Sequence, residues 1–324
     1  MKKLLKVVGI LVLSILLIVL LGIAYIKIIL PDVGPAPQLT VERTSARLAR
    51  GSYLANSVMV CMDCHSIRNP ALFSLPMDEA TRGGGGQRFD QSMGFPGIFY
   101  SANITPFGIG SWTDGEIYRA ITTGVRKNGK PIFPVMPYHS YGHAAPEDVK
   151  SLIVYLRSLS SKENVVPLSS ADFPMNILLN TVPKKADPMT VPPAGDSLAY
   201  GRYLFTIASC YDCHTPFDKG KFDDRFAFAG GRSFPVPGGI VKSANITTDK
   251  ETGLGSWTRD LFIRRFTFYR DSANAHRVVN HGELQTIMPW TMYGTMTDSD
   301  LSSIYTYMQT IKPIKHVVVK FKAD

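Results

Sequence analysis

The chain has 324 residues, 45% of them hydrophobic, with 35 Lys and Arg against 26 Asp and Glu, a formal charge of +9. That length accommodates a membrane segment plus two ordinary domains of roughly 100–150 residues each. No nucleophile–base pair and no flavin fingerprint appears, and Gly83-Gly84-Gly85-Gly86 lacks the Lys-Ser/Thr of a phosphate loop, so it reads as a flexible surface loop.

The first predicted element is the uncharged run Val7 to Ile26, long enough as a helix to cross a hydrocarbon core of about 30 Å. A cleaved signal peptide would have a shorter apolar region and a small-X-small site, so residues 1–30 are expected to stay as a single-pass anchor in the inner membrane. Lys2, Lys3 and Lys6 precede the run, which keeps the N-terminus cytoplasmic and puts everything after Leu30 on the periplasmic side. Nucleic acid is a poor partner there. Residues 31–42, with Pro31, Pro35 and Pro37, are expected to form an extended stalk.

A helix is expected over 44–57, leading into Cys61-Met62-Asp63-Cys64-His65; a second over 195–208 leads into Cys210-Tyr211-Asp212-Cys213-His214. These pentapeptides use all four cysteines. Two thiols three positions apart can each form a thioether to one haem vinyl group, and the adjacent imidazole can serve as proximal iron ligand. A thioredoxin-type motif, a zinc site from both Cys pairs, or two disulfides would leave His65 and His214 unexplained. Two covalently bound haem c groups are therefore expected, held by Cys61, Cys64, Cys210 and Cys213, with His65 and His214 on the irons.

Other landmarks repeat in the same order. Ser-Ala-Asn-Ile-Thr stands at 101–105 and 243–247, Gly-Ser-Trp-Thr at 110–113 and 255–258, and a methionine before proline at Met136-Pro137 and Met288-Pro289. A duplicated domain is the simplest account. Last helices are expected from Pro146, with Val149, Leu152, Ile153 and Leu156 at 3-4 spacing, and from Thr297, with Leu301, Ile304, Met308 and Ile311. Gly51 and Gly201 sit inside the first helices, where a bare backbone would let an aromatic ring, Tyr155 or Tyr307, approach. The division is then domain 1 over 43–166, a proline-rich linker over 167–194 that straps along the interface or forms a turn of helix at Ile177–Leu179, domain 2 over 195–312, and a solvated basic tail over 313–324.

First helix, Cys-X-X-Cys-His, Met-bearing loop and last helix, in that order and twice over, resemble tandem class I-type cytochrome c domains. The Ser-Ala-Asn-Ile-Thr, Gly-Ser-Trp-Thr and Met-Pro-Tyr/Trp landmarks resemble the cytochrome subunits of membrane-bound alcohol, aldehyde and gluconate dehydrogenases, which commonly carry three haems where this chain has two motifs. The resemblance implies an all-α fold of two cytochrome c domains after one transmembrane helix, and it places the distal ligand at Met136 and Met288. Met292 and Met296 are the alternatives in domain 2, and His139 and His143 the nitrogen alternatives in domain 1. Trp112, Trp257, Asn103 and Asn245 are candidate donors to haem propionates, which need such donors when buried. The implied role is single-electron transfer between a dehydrogenase donor and a terminal oxidase or soluble cytochrome, the modest basic charge suiting salt-sensitive docking to acidic partners. A dihaem peroxidase with one open iron is the alternative; the matched Met-Pro loops favour the carrier.

Overall fold

In a computed structural model, residues 1–193, 195–218 and 220–324 are described, and about 43% of the chain is helical. Helix α1, Lys2–Ile28, buries none of its side chains; its 27 residues span about 40 Å at the usual rise. It is the one helix long and apolar enough to cross a membrane among the described residues.

Local signals set the ends of the helices that follow. Thr44 Oγ1 accepts from the Arg47 N–H at 3.2 Å to start α2, Ser45–Tyr53. This helix loosens into a π-helical turn, Leu54–Val58, before α3, Cys61–Cys64. A full capping box between Thr113 and Glu116 opens α4, Asp114–Thr123, and Pro146 begins α5, Pro146–Ser158. The second repeat matches: α6, Ser197–Ile207, capped by Asp196; α7, Cys210–His214; α8, Arg259–Thr267, capped by Thr258; and α9, Asp298–Met308, capped by Thr297.

Helix α2 packs on α5, and α6 on α9. A Cβ on Gly51 would stand 1.9 Å from the Ser151 carbonyl oxygen, and one on Gly201 1.9 Å from that of Ser303. The glycines thus admit the backbone of the last helix, not chiefly the aromatic ring expected from the sequence, although Tyr155 flanks Gly51. One continuous apolar cluster joins the repeats, with Leu54, Val58, Leu152 and Ile153 from the first and Leu204, Ile207, Leu301 and Ile304 from the second.

Polar contacts across this junction are reciprocal. Tyr53 donates to Asp300 at 2.5 Å and accepts from the Thr297 N–H at 3.1 Å. Its counterpart Tyr203 donates to Asp148 at 2.6 Å and accepts from the Ala145 N–H at 3.1 Å. Each first helix therefore satisfies the start of the other repeat's last helix, as in a symmetric dimer whose two halves share one chain.

Several expectations need correction. The fold is not purely helical, because three small antiparallel sheets decorate it. Strands β1 (Arg88–Phe89), β2 (Gly97–Tyr100) and β3 (Ser170–Ala171) pair in that order, with Arg88 opposite Tyr100 and Gly97 opposite Ala171. A hairpin joins β4 (Phe217–Asp218) to β5 (Lys221–Phe222). Strands β6 (Ser233–Val236) and β7 (Gly239–Lys242) are completed by β8 (Phe321–Ala323), so the basic tail is tied to a sheet edge instead of lying free. In the linker, Met175–Leu178 is a helical turn that packs on the end of α1, where Lys27 Nζ donates to the Asn176 carbonyl at 2.6 Å. Farther on, the Asp187 and Met189 N–H groups donate to the Gly142 and His143 carbonyls, which ties this part of the chain to the first Met-Pro loop. The expected linker end, residue 194, lies outside the described residues. Gly83, Gly84 and Gly85 are buried, not a surface loop: Gly83 packs against Thr105 and Leu159, Gly84 against Thr81 and Lys162, and Gly85 bonds to His65 as described next.

Candidate haem sites

Each Cys-X-X-Cys-His motif is a single helical turn entered through a left-handed residue, Val60 at φ 44° and Ser209 at φ 58°. A β-branched valine adopts that conformation only under constraint. Burial lowers the basicity of His65 and His214, which favours the neutral imidazole. His65 Nδ1 lies 2.7 Å from the Ala102 carbonyl and His214 Nδ1 lies 2.8 Å from that of Ala244. With the proton on Nδ1 directed to a carbonyl, Nε2 is left with its lone pair, the form in which histidine takes a metal.

The carbonyl acceptors belong to the repeated Ser-Ala-Asn-Ile-Thr segments, and a glycine pair holds each of them in place. Gly85 N–H donates to the His65 carbonyl at 2.9 Å and Gly230 N–H to the His214 carbonyl at 2.8 Å. Both glycines have positive φ, +70° and +72°, and a Cβ on either would stand 2.4 Å from the carbonyl carbon of Ala102 or Ala244. Sequence reasoning missed this pair, although its signal was present: Gly85-Gly86 and Gly230-Gly231 fall between motif and Ser-Ala-Asn-Ile-Thr in both repeats.

Burial pushes the Cys61 thiol up to about 12 and Cys213 up to about 11, and raises Cys64 and Cys210 in the same direction. Burial of this kind disfavours the thiolate that a thioredoxin-type motif uses. Among the described residues no group of three or more His, Cys, Asp and Glu is arranged to hold a metal ion, so the zinc reading lacks a site.

The two asparagines are a correction. Asn103 donates both amide hydrogens, to the Lys162 and Asn164 carbonyls at 2.8 and 3.1 Å, and its oxygen accepts from Thr105. Asn245 donates to Thr252 and the Ile314 carbonyl and accepts from Thr247 in the same way. Neither retains an N–H for a propionate; both brace the loop that carries the histidine's acceptor. Trp112 and Trp257 are half-buried, and among the described residues neither indole N–H has a partner. Their carbonyls are fixed instead, by Arg157 and by Tyr305.

A cavity of about 2340 Å³ brings Cys61, Cys64, His65, Trp112 and Met136 to one wall system, well beyond the roughly 300–1,000 Å³ of an ordinary small-molecule pocket. It continues to Cys213, Ile287 and Pro289 of the second repeat, while Cys210, His214, Trp257 and Met288 do not line it. Cys64 and Arg68 of the first repeat and Cys213 of the second line this same cavity. Two equivalent tyrosines tie each Met-Pro loop to the residue two before the first cysteine, Tyr141 to the Met59 carbonyl at 2.6 Å and Tyr293 to that of Ala208 at 2.7 Å. Met292 and Met296 are buried in the apolar core. His139 and His143 line the cavity, His143 Nδ1 lying 2.8 Å from the Asp187 carbonyl.

No family model matches the chain. It is similar to the cytochrome c subunit of a quinone alcohol dehydrogenase from Gluconacetobacter polyoxogenes, 28% identical over 87% of this chain and 59% of the relative. The fructose dehydrogenase cytochrome subunit of Gluconobacter japonicus is 29% identical over 82% of this chain and 52% of the relative. A diheme cytochrome c-type protein of Cereibacter sphaeroides is 28% identical over 71% of this chain and 76% of its own length. The chain thus spans about three fifths of the length of the first of these relatives. Curated relatives of this chain are cytochrome c subunits of alcohol, fructose and gluconate dehydrogenases and a dihaem cytochrome c, which supports an electron-transfer role and implies covalently bound haem c.

Proposed function

From this kinship we propose that the protein is a dihaem electron carrier, built as two tandem cytochrome c domains behind a retained membrane anchor. Haem c, when bound, supplies a one-electron iron couple. Cys61 and Cys64, and Cys210 and Cys213, provide the thiols for its thioether attachment. His65 and His214 present Nε2 as proximal ligand, oriented through Ala102 and Ala244. Met136 and Met288 would hold the iron through their thioether sulfurs, a soft donor that would raise its potential. The free indole N–H groups of Trp112 and Trp257 are the propionate donors. The observation that carries the reading is the repeated histidine–alanine–glycine geometry, which prepares two equivalent imidazoles for iron.

The cavity shared by Cys64 and Cys213 favours electron exchange between the two sites inside one chain. The donor is a dehydrogenase and the acceptor a terminal oxidase or soluble cytochrome, both met on the periplasmic face, with α1 anchored N-terminus inward by Lys2, Lys3 and Lys6. The test replaces Met136 and Met288 by His, singly and together. Each single replacement should remove roughly half of the weak red-edge charge-transfer band of His/Met haem and lower one midpoint potential. An unchanged band in the double variant overturns the ligand set, and rapid cyanide binding to one haem of the wild type would favour an enzyme.

A further inference from the structure

The two Met-Pro loops are equivalent in sequence but not in what holds them. In both, the second residue after the methionine donates its N–H to the methionine carbonyl, Tyr138 to Met136 at 2.8 Å and Trp290 to Met288 at 2.7 Å. Among the described residues Met136 has no further hydrogen bond at that carbonyl. Met288 has one, and it comes from the other repeat: the Ser74 hydroxyl donates to the Met288 carbonyl at 2.5 Å and accepts from the Trp290 N–H at 3.1 Å.

Ser74 belongs to a segment that follows the first Cys-X-X-Cys-His motif and wraps the second repeat's loop along its length. Phe73 N–H donates to the Arg277 carbonyl at 2.8 Å, and Val279 N–H to the Ala71 carbonyl at 2.9 Å. Gln285, fully buried, donates to the Leu72 carbonyl at 2.9 Å and accepts from the Ser74 N–H at 2.9 Å. Phe73 stacks on Tyr269, which in turn stacks on Trp290 beside the methionine. Ser74 and Leu75 adopt positive φ, 71° and 48°, a region that non-glycine residues occupy when their surroundings dictate it. After the second motif Phe217–Asp218 and Lys221–Phe222 pair as β4 and β5 instead; the second repeat touches the first Met-Pro loop through Asp212, which accepts from Ser140 Oγ at 2.9 Å, but among the described residues it gives no hydrogen bond to the Met136 carbonyl.

We propose that the segment Pro70–Leu75 of the first repeat is a positioning clamp for Met288, with Ser74 and Gln285 as its positioning residues, so that distal ligation at the second haem depends on the first repeat while ligation at the first does not. The proposal rests on the reading of Met288 as distal ligand. Its chemistry follows from burial: Ser74 is 2% exposed and Gln285 0%; deleting the Ser74 hydroxyl strips the Met288 carbonyl of its second hydrogen bond, leaving it only the one within its own loop, and deleting the Gln285 amide leaves the buried Ser74 N–H without its partner, and either loss loosens the loop.

The experiment uses the full-length holoprotein and four variants: Ser74→Ala, Gln285→Leu, Met288→Ala and Met136→Ala. Ser74→Ala and Gln285→Leu should weaken the share of the red-edge band that Met288→Ala abolishes, leave the share that Met136→Ala abolishes, and lower one of the two potentials. Imidazole should bind one haem about tenfold faster, the factor expected for one lost buried hydrogen bond, and amide exchange at Trp290 should accelerate. If Gln285→Leu does not accumulate with haem, Ser74→Ala alone, which deletes a single oxygen, decides the matter. A full band with unchanged potentials in Ser74→Ala, alongside a halved band in Met288→Ala, overturns the clamp and leaves the ligand reading standing. A full band in Met288→Ala overturns both.

Discussion

Replacing Gly51 by alanine tests the packing of each repeat most severely. Within an exposed helix the change is favourable by up to about 1 kcal/mol, since alanine loses less backbone entropy. Here the added Cβ would stand 1.9 Å from the Ser151 carbonyl oxygen and 2.5 Å from its carbon. Helices α2 and α5 must therefore part by more than an ångström, and backbone on both sides leaves neither partner a flexible end to yield. Overpacking of this kind costs roughly 1–3 kcal/mol or more, so the net loss is expected near 2 kcal/mol. For a unit of this size that lowers the midpoint of thermal unfolding by about 4–8 °C. Circular dichroism of the holoprotein reads the shift, with Gly22→Ala, whose Cβ meets nothing within 4 Å, as the control. A Gly51→Ala variant as stable as the wild type would refute the close crossing, and with it the equivalent claim for Gly201.

Gly85→Ala and Gly230→Ala should each displace the carbonyl that orients one histidine, so that one of the two proximal Fe–His signatures is perturbed in resonance Raman spectra while the other persists. Tyr53→Phe and Tyr203→Phe remove equivalent bonds to buried carboxylates across the repeat junction and should each cost about 1–3 kcal/mol in denaturant unfolding. The same tyrosines give a pH dependence: burial, with help from Asp300 and Asp148, raises the ionisation of Tyr53 and Tyr203 above the usual value of 10. A group whose folded pKa is raised contributes stability that is complete below its unfolded pKa and is lost as pH rises beyond it. Stability should fall above about pH 10, and the fall should be shallower in the Tyr53→Phe/Tyr203→Phe pair; an equal slope would contradict the assignment.

Features written in a short stretch of chain were legible in the sequence. Thr44, Pro146 and Thr297 mark helix starts because capping involves only the next few residues. The Cys-X-X-Cys-His turns are equally local. What escaped depends on residues far apart: Ser74 meets Met288 across 214 positions and Tyr53 meets Asp300 across 247, and no periodicity announces such pairs. The tail strand Phe321–Ala323 needs the distant edge of Gly239–Lys242 to form. Asn103 and Asn245 were misjudged because an amide near a haem motif and an amide bracing a loop look alike until their partners are known. Gly83–Gly86 looked mobile by composition, yet Gly85 is needed where the chain must come within van der Waals reach of Ala102.

The central claim, two c haems with matched histidine and methionine ligands in one electron-carrying chain, is tested most directly by a pyridine haemochrome assay of the purified full-length protein combined with a spectroelectrochemical titration. Two haems per chain, retained through acid-acetone extraction and titrating as two one-electron steps, is the predicted result. One haem per chain, or colour lost to the organic phase, would contradict it.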